Sequence, residues 1–426
     1  MGSANVGWVI LESGSNRLRA TTVAIDDPGP LQRFLPLTGP STAFIRKGEG
    51  IITIGEVERF ETDYPDAADV WWDEVASYID HDSELPGAYG TGPLAVGSFT
   101  FDPDASEERS VLIVPKVIIG RRAGQFWMTK LTGGRMDYEL PDVGEAIVPP
   151  TGVTLDDGPV PPAEWGRIVA EVVGLIRADE VSKVVLARKV RARSETPFDA
   201  RAILNRLLHR YPTTWAYMVD GLVGATPELL IRRQGGLATS RVLAGTISLD
   251  PDHTDPLARA ADLARSRKDI SEHEFAVESI ARALEPFCSA MNVPESPSVL
   301  PLPNVLHLAT DITGVTDPDT SALALAAALH PSAAVCGTPT FLAREVIGEL
   351  ESMDRGRYAG PIGWVDARGD GEWALALRGG QILRDDPREI HLFAGAGVVA
   401  DSEPEAEIAE TNAKLLPMLQ ALGLSD

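Results

Sequence analysis

Cysteine is scarce in this sequence, since Cys288 and Cys336 are the only two among 426 residues. Two cysteines so far apart provide neither a disulfide framework nor a CxxC zinc site, and they suit a reducing compartment. Long apolar runs are missing as well. The first residues, MGSANVGWVILESG, lack a basic segment followed by an apolar core, and nowhere do about eighteen apolar residues follow one another. The sequence therefore predicts a cytoplasmic protein without a signal peptide or a membrane span.

Positive charge is also in short supply. The chain has 38 basic and 62 acidic residues, which gives a net charge of −24. Such a surface repels nucleic acid and anionic lipid, so neither is expected as a partner. An acidic protein that acts on an anionic molecule needs cations or a bound metal ion at its site. The length and the composition are those of a globular protein with a large core.

Hydrophobic patterning divides the chain into a β-rich N-terminal part, residues 1–130, a connector, residues 131–160, and a region of mixed helices and strands, residues 161–426. The connector is rich in glycine, proline and acidic residues but need not separate independent domains, and we predict one globular unit over residues 1–426. Strands come mostly in hairpin runs and helices come in groups, which predicts an α+β fold with antiparallel sheets. The individual elements predicted by spacing include strands over 7–13 and 372–383 and helices near 66–79, 256–265, 269–286 and 404–422.

Two of these predicted helices carry acidic residues three positions apart, and therefore on one helix face. The first has Asp269 and Glu272, and the second has Glu407 and Glu410, with Lys414 one turn further on. Four carboxylates at one point would repel each other unless a divalent cation lay between them, and oxygen ligands without Cys or His favour Mg²⁺. From the spacing alone, two solvent-exposed helix faces are the simpler interpretation.

Charged residues also interrupt several apolar strands. Lys183 begins the strand SKVVLARKVRA, where burial would favour the uncharged amine that a general base requires, although a lysine at a sheet edge with its amine in solvent is the simpler interpretation. Glu228, in GATPELLI, could be half buried and act as a general acid, or it could lie on the surface at a strand end. His307, in VLHLA, has the pattern of a core histidine, whereas Arg378, in ALALRGG, indicates an anionic partner. The backbone amides of GAGVV, residues 395–399, could bind an anion.

Nine ordered sequence blocks within residues 161–423 resemble the chorismate-utilising enzymes, a family that includes isochorismate, salicylate, anthranilate and aminodeoxychorismate synthases. The blocks are SKVVLARK, GATPELLI, LAGT, KDxxEH, HLxTxxxG, LHPSAAVCGTP, DRGRYAGPIG, LALRGG and GAGVVADSxPExExxETNAK. The resemblance implies a fold of large antiparallel β-sheets packed as a sandwich, with helices around the outside. It also implies that Glu272 and Glu410 bind Mg²⁺, with Asp269 and Glu407 lying just behind them.

The substrate that the resemblance implies is chorismate, a dicarboxylate whose ring carboxylate would be held by Mg²⁺. Tyr358, Arg378 and the amides around Gly395 match positions that hold the second, enolpyruvyl carboxylate. Together with Mg²⁺, Arg378 and Lys414 would supply the local positive charge that this acidic chain otherwise lacks. The full set of substrate-binding positions implied by the resemblance is Gly245, Thr246, His307, Ala334, Tyr358, Arg378, Gly395 and Lys414.

The choice among family members depends on two positions, Lys183 and Ala334. Lys183 matches the general base of the members that add water at C2, and Glu228 matches the acid that protonates the departing 4-hydroxyl. These roles require an uncharged amine and a protonated carboxyl group, and burial favours both. Ala334 occupies a position that is generally Thr in members that go on to eliminate pyruvate. The resemblance therefore implies an isochorismate synthase, an isomerase of the hydroxymutase type.

Three alternatives stay open at this point. A salicylate synthase would add pyruvate elimination, an ammonia-using relative would form anthranilate, and a non-catalytic binding protein would bind chorismate without turnover. Lys183 argues against the second, and the presence of both Lys183 and Glu228 argues against the third. By resemblance we expect a monomer. Isochorismate supplies menaquinone, catechol siderophore and salicylate biosynthesis, and the sequence favours none of these pathways.

Overall fold

The computed structural model describes residues 18–132, 139–248, 255–303 and 305–424. The strand predicted over residues 7–13 lies outside these ranges. None of the helices in the described ranges is both long and apolar enough to cross a membrane.

Within the described ranges the chain forms eight α-helices and twenty-one β-strands. The helices are α1 Pro65–Ser77, α2 Pro162–Arg177, α3 Ala200–Arg210, α4 Pro256–Leu263, α5 Arg267–Leu284, α6 Ala322–Leu329, α7 Thr340–Leu350 and α8 Pro404–Leu422. The strands before α4 are β1 Leu18–Ala24, β2 Ser41–Arg46, β3 Glu49–Thr62, β4 Ile79–Ser83, β5 Leu94–Ser98, β6 Ser110–Arg122, β7 Gln125–Thr132, β8 Thr154–Asp156, β9 Lys183–Arg193, β10 Trp215–Val219, β11 Leu222–Thr226, β12 Leu229–Gln234 and β13 Leu237–Ser248. The later strands are β14 Cys288–Asn292, β15 Ser298–Pro301, β16 Val305–Thr316, β17 Gly337–Thr338, β18 Pro361–Asp366, β19 Gly371–Leu375, β20 Gly379–Ile382 and β21 Glu389–Val398.

The strands pair almost entirely in antiparallel fashion, which confirms the predicted α+β class. Among the described strands the single parallel pair is β1 with β4. Hydrogen bonds connect all of the described strands into one continuous network. Strands of the first 130 residues take part in it, since β5 pairs with β18 and β2 pairs with β10. The N-terminal strands and the later strands therefore share backbone hydrogen bonds.

Two strand pairs position the predicted site. The strand β9 pairs with β21 along ten residues, from Val184 opposite Val398 to Arg193 opposite Glu389. The strand β13 pairs with β16, and α5 packs against both. The helix α8 packs against β21 and also contacts β13. The two acidic helices predicted from the sequence therefore both contact β13.

The predicted strand over residues 372–383 was wrong as a single element. The structure divides it into β19 and β20, and the chain turns between them at Arg378, whose φ is +50°. A left-handed backbone costs a residue other than glycine about 1–3 kcal/mol, and such strain is commonly found at functional sites. The sequence also gave no signal for the short strands β8, β14 and β15. The first of these lies inside the predicted connector and pairs with β9.

Candidate active site

A cavity of about 670 Å³ lies over the paired strands β9 and β21. Alternate residues of the two strands form its floor, namely Val185 and Ala187 of β9 and Phe393, Gly395 and Gly397 of β21. Nine of the residues predicted from the sequence line the cavity: Glu228, Thr246, Glu272, His307, Ala334, Tyr358, Arg378, Gly395 and Lys414.

Lys183, the first residue of β9, is fully buried behind Glu272. Its Nζ lies 3.4 Å from Glu272 Oε1 and 3.5 Å from the backbone oxygen of the same residue. Gly397 makes this contact possible, because a Cβ at that position would lie 2.1 Å from Glu272 Oε1. The simpler interpretation of Lys183, an edge lysine with its amine in solvent, is therefore wrong, because the amine is buried behind Glu272, a residue that lines the cavity.

Glu228 lies between β11 and β12, where Pro227 turns the chain, and its side chain faces the cavity from a buried position. Burial raises the pKa of Glu228 to about 7, although a hydrogen bond from the Leu243 backbone and the charge of Lys183 act in the opposite direction. A carboxyl group with this pKa is partly protonated near neutral pH and can donate a proton. The surface position that the sequence left open is excluded.

A β-bulge at Gly245 turns two backbone amides toward the carboxylates of α5. The register between β13 and β16 shifts between Ala244 and Thr246, and Gly245 has a φ of +75°. The Gly245 amide donates to Glu272 Oε2 at 3.2 Å, and the Thr246 amide donates to Asp269 Oδ1 at 3.2 Å. A Cβ at position 245 would lie 2.9 Å from the Asp269 Cβ, so the close approach also requires glycine. Gly245 thus contributes to the site through its amide.

His273, next to Glu272, anchors α5 to the sheet. One ring nitrogen lies 3.2 Å from the Ala244 carbonyl oxygen and the other 2.7 Å from Thr310 Oγ1. Because a carbonyl oxygen can only accept, Nδ1 carries the proton and Nε2 accepts from the threonine hydroxyl. Burial lowers the pKa of His273 to about 4, which agrees with a neutral ring. The ring fixes the helix turn from which Glu272 reaches the cavity.

In α8, Glu407 and Glu410 are each paired with a lysine. Glu407 forms an ion pair with Lys268 of α5, which links the two acidic helices. Glu410 lies 2.7 Å from Lys414, whose Nζ also donates to the Gly395 carbonyl oxygen at 2.9 Å. The simpler interpretation of the spacing, two solvent-exposed helix faces, is wrong, because Glu272 and Glu407 are buried and the Glu410 side chain is only 15% exposed.

The four carboxylates are close enough to influence one another. Burial, and then the charge of Glu410, raise the pKa of Glu407. Burial raises the pKa of Asp269, and the charges of Glu272 and Glu410 add to the effect. Burial alone would raise the pKa of Glu272, but the charges of Lys183, Lys414 and Lys268 outweigh it, so its pKa lies below the usual value. Lys183, Lys268 and Lys414 therefore lie close enough to offset part of the negative charge of the carboxylates.

This donor set fits a hard divalent cation. Glu407 Oε2 is buried and forms no hydrogen bond within the described part of the chain. Carboxylate oxygens without sulfur or imidazole neighbours are what Mg²⁺ prefers, and Mg²⁺ usually takes only one or two carboxylates and completes its shell with water and substrate oxygens. No group of three or more His, Cys, Asp or Glu residues in the described ranges is arranged to enclose an ion.

Arg378, His307 and Thr246 form a chain of hydrogen bonds along one wall. Arg378 Nη2 donates to His307 Nε2 at 2.9 Å, and His307 Nδ1 lies 3.0 Å from Thr246 Oγ1. Because arginine can only donate, Nδ1 of His307 carries the proton. Burial, with the charges of Arg378 and Lys414, holds the pKa of His307 well below its usual range. His307 is therefore a neutral link that orients the Arg378 guanidinium and the Thr246 hydroxyl.

Tyr358 stacks on Phe393 with ring centroids 5.0 Å apart, and both rings line the cavity. Burial raises the pKa of Tyr358 to about 12, so its hydroxyl stays protonated and can donate to an anion. A Cβ on Gly395 would lie 3.3 Å from that hydroxyl, which places the tyrosine beside the Gly395 backbone. Tyr358 and Gly395, which the resemblance grouped together, are therefore neighbours.

Sequence reasoning missed four residues that shape this site: Lys268, Arg355, Phe393 and Gly397. Lys268 and Arg355 are charged residues inside the matched blocks KDxxEH and DRGRYAGPIG. Their place in these blocks is the sequence feature that could have indicated a role at the site. Gly397 lies in the GAGVV segment, where the close approach of Glu272 cannot be read from the sequence. Phe393 has no signal beyond the alternation of β21.

Comparisons with known proteins agree with this geometry. A family model described as "Chorismate binding enzyme" matches residues 14–423. The isochorismate synthase DhbC of Bacillus subtilis (strain 168) is 37% identical over 345 residues, which are 78% of this chain and 81% of that protein. The isochorismate synthase MenF of the same organism is 31% identical over 407 residues, 88% of this chain and 85% of that protein. For the fold, the structure of MenF, the menaquinone-specific isochorismate synthase from Escherichia coli, superposes with a TM-score of 0.77 at 23% identity and covers 95% of this chain and 94% of that chain.

Proposed function

The chain belongs to the family of chorismate-binding enzymes, and on that basis we propose that it is an isochorismate synthase, which converts chorismate reversibly to isochorismate. The observation that carries this proposal is the arrangement of the cavity wall. Buried Glu228, the candidate acid, lines the same cavity as the cations Arg378 and Lys414. Buried Lys183, the candidate base, lies directly behind Glu272, which also lines this cavity. An otherwise acidic protein thus gathers positive charge where a dicarboxylate would bind.

The cavity offers separate groups for the two carboxylates of chorismate. Arg378 and the protonated hydroxyl of Tyr358, beside the Gly395 backbone, are placed to bind the enolpyruvyl carboxylate. The ring carboxylate would then lie toward Glu272, which also lines the cavity. His307 accepts a hydrogen bond from the Arg378 guanidinium and so orients that guanidinium before the substrate binds.

Glu272 and Glu410 would hold Mg²⁺, with Asp269 and Glu407 lying just behind them. When bound, the ion would supply positive charge at the ring carboxylate and so make the ring a better electron acceptor. The amide of Gly245 and the ion pair of Lys268 keep Glu272 and Glu407 in position for this task.

Two proton transfers complete the reaction. Lys183 takes a proton from a water molecule, whose oxygen forms a bond to C2 of the ring while the double bonds shift. The C4–O bond breaks, and Glu228 gives its proton to the departing hydroxyl, which leaves as water. Atoms balance, since one water adds and one is released. Lys183 can serve as the base only in its uncharged form, which has a lone pair to accept the proton. Its contact with Glu272 uses an N–H and leaves that lone pair available.

The proposal is tested by incubating the purified protein with chorismate and Mg²⁺ and separating the products by chromatography. We expect isochorismate and residual chorismate, with loss of turnover when the metal is removed by a chelator and recovery when Mg²⁺ is returned. Salicylate with pyruvate would identify a salicylate synthase instead, and unchanged chorismate would contradict an enzymatic role.

Ala334 tests the choice between these two enzymes. Its methyl group lines the cavity, so a hydroxyl introduced there would contact the substrate. We expect Ala334→Thr to raise pyruvate release about tenfold, because a hydroxyl can orient the enolpyruvyl group for elimination. Pyruvate is measured with a coupled dehydrogenase. Valine has nearly the same shape as threonine but lacks the hydroxyl, so Ala334→Val is the control. Equal pyruvate release from both variants would remove Ala334 as the discriminating residue.

The pH dependence of the reaction tests Glu228. The acid must be protonated, and burial raises the pKa of Glu228 to about 7, against the charges of Lys183, Lys414 and Arg378. We therefore expect kcat/KM to fall as the pH rises above about 7, since that constant reports the free enzyme. Bound chorismate would place negative charge beside Glu228, so the decline in kcat is expected at higher pH.

The control for the pH profile is Glu228→Gln. Its residual activity is expected to lack the decline above neutral pH. The same decline in this variant would assign the titration to another group.

As further parts of the proposal, we place the enzyme in the cytoplasm as a monomer, with chorismate as its small-molecule partner.

A further inference from the structure

One edge of β9 is completed by side chains instead of a neighbouring strand. Its other edge pairs with β21 along almost the whole strand. On the first edge, β17 pairs with the first two residues of β9 and β8 pairs with its last three. Among the described strands none pairs with residues 185–190 on this edge. The outward-facing backbone groups of this buried segment therefore need other partners.

The Val185 amide donates to the carbonyl oxygen of Cys336, just before β17, at 2.8 Å. Three side chains are the partners of the Val185 carbonyl oxygen and of both backbone groups of Ala187. The carbonyl oxygen of Val185 accepts from Arg355 Nη2 at 2.7 Å. The amide of Ala187 donates to Glu351 Oε1 at 2.6 Å, and its carbonyl oxygen accepts from Trp165 Nε1 at 3.0 Å. These bonds hold the two β9 residues that form the cavity floor.

Glu351 and Arg355 are themselves a buried ion pair, exposed by only 3% and 4%. Arg355 Nε donates to Glu351 Oε2 at 2.8 Å, and Arg355 Nη2 also contacts Glu351 Oε1. Arg355 Nη1 reaches the Val335 carbonyl oxygen at 3.0 Å, next to Ala334. One guanidinium thus connects the floor strand to the loop that carries Ala334, and it lines the cavity as well.

Burial of an ion pair is seldom favourable on its own, and apolar replacements of similar size are often tolerated. Here an apolar pair would leave three backbone groups, those of Val185, Ala187 and Val335, buried without partners. The hydrogen-bonding capacity of Glu351 and Arg355, and not their charge alone, therefore explains why this pair is polar.

We propose that Glu351 and Arg355 are positioning residues, which take the place of a missing strand and set the location of the β9 floor and of the Ala334 loop relative to Glu228 and Arg378. Lys183 lies two residues before Val185 on the same face of β9, so displacement of this segment moves the amine relative to the ring. The groups that bind the carboxylates, Arg378 and Lys414, belong to other elements. The pair is therefore expected to act on the chemical step more than on substrate binding. This expectation rests on the proposed isochorismate synthase activity.

The test compares Arg355→Lys and Glu351→Gln with the unmodified enzyme. A lysine cannot reach Glu351, Val185 and Val335 at once, and the amide of a glutamine at position 351 presents a donor to Arg355. We expect kcat to fall about 10- to 100-fold with KM for chorismate changed less than about threefold, because a displacement near 1 Å is enough for such a loss. Activities are normalised to the folded fraction from circular dichroism. Hydrogen exchange of a peptide spanning residues 183–190 is expected to accelerate in both variants.

Arg344→Lys is the matched control, since Arg344 pairs with Asp102 on the outer side of α7. It should leave kcat, KM and hydrogen exchange unchanged. Unchanged exchange and kcat in Glu351→Gln, or a rise in KM at constant kcat, would overturn the proposal. If Arg355→Lys does not fold, Glu351→Gln and Glu351→Asp decide the question. Lack of turnover by the unmodified enzyme would contradict the proposed function, whereas the exchange measurement would still test the hydrogen bonds.

Discussion

Replacement of Lys183 by alanine is expected to lower the rate of isochorismate formation by at least about 10³-fold, within the range that a general base contributes. Neutral water is a poor nucleophile, and Lys183 is the base that we propose for its activation. The amine contacts Glu272 and lies beside Gly397 of the floor, close to the end of the cavity where the ring carboxylate would bind. The rate is measured by chromatography of chorismate and isochorismate at saturating Mg²⁺.

The matched control is Lys189→Ala, which removes a partly buried lysine from the same face of the same strand. It should retain most of its activity, since Lys189 does not line the substrate cavity. Circular dichroism and Mg²⁺ binding should be similar for Lys183→Ala and the unmodified protein. Normal turnover by Lys183→Ala would refute its assignment as the base.

Glu272→Gln is expected to abolish Mg²⁺ binding at the Mg²⁺ concentrations that support turnover of the unmodified enzyme, and therefore to abolish turnover. Glu272 is the acidic residue that lines the cavity and belongs to the candidate metal site, and both of its oxygens already have partners in Lys183 and Gly245. A glutamine retains the shape but replaces one acceptor with a donor and removes the charge that a hard cation requires. The loss of Mg²⁺ affinity should be at least about 100-fold, as large as the upper effect of residues that only support metal ligands.

Calorimetric titration with Mg²⁺ measures this affinity without reference to activity. A second measurement uses the melting temperature, which Mg²⁺ should raise in the unmodified protein because the ion binds the folded state. The increase should vanish in Glu272→Gln and persist in Glu274→Gln, an exposed position on the same helix. Mg²⁺ affinity equal to that of the unmodified protein would exclude Glu272 as a ligand.

Local patterns in the sequence predicted much of the secondary structure near the site. The helices α5 and α8 and the strand β9 lie close to their predicted bounds, because each has a continuous apolar periodicity. The break at Arg378 could not be predicted, since ALALRGG reads as one strand. What interrupts it is a hydrogen bond from the distant Ala225 amide to the Arg378 carbonyl oxygen, together with the turn of its side chain toward His307.

The candidate site shows the same division. Family motifs indicated Glu228, Glu272 and Arg378, and these residues do line one cavity. Glu351 lies outside the matched blocks, and the position of Lys268 inside KDxxEH did not indicate which residue it would pair with. Glu351 can accept from the Ala187 amide because β17 pairs only with Lys183 and Val184 and does not extend along β9. Lys268 forms its ion pair because α8 brings Glu407 beside it.

By itself, the sequence determined the class of fold, the absence of a disulfide framework and the residue types that the chemistry needs, because composition, periodicity and motifs are properties of neighbouring residues. Only the tertiary structure decided that the Lys183 amine is buried against Glu272, that a bulge at Gly245 directs two amides toward α5, and that an ion pair completes the edge of β9. Each of these depends on which backbone groups are left without a strand partner and on which charges are enclosed together. Both are determined by contacts between segments that are far apart in the chain.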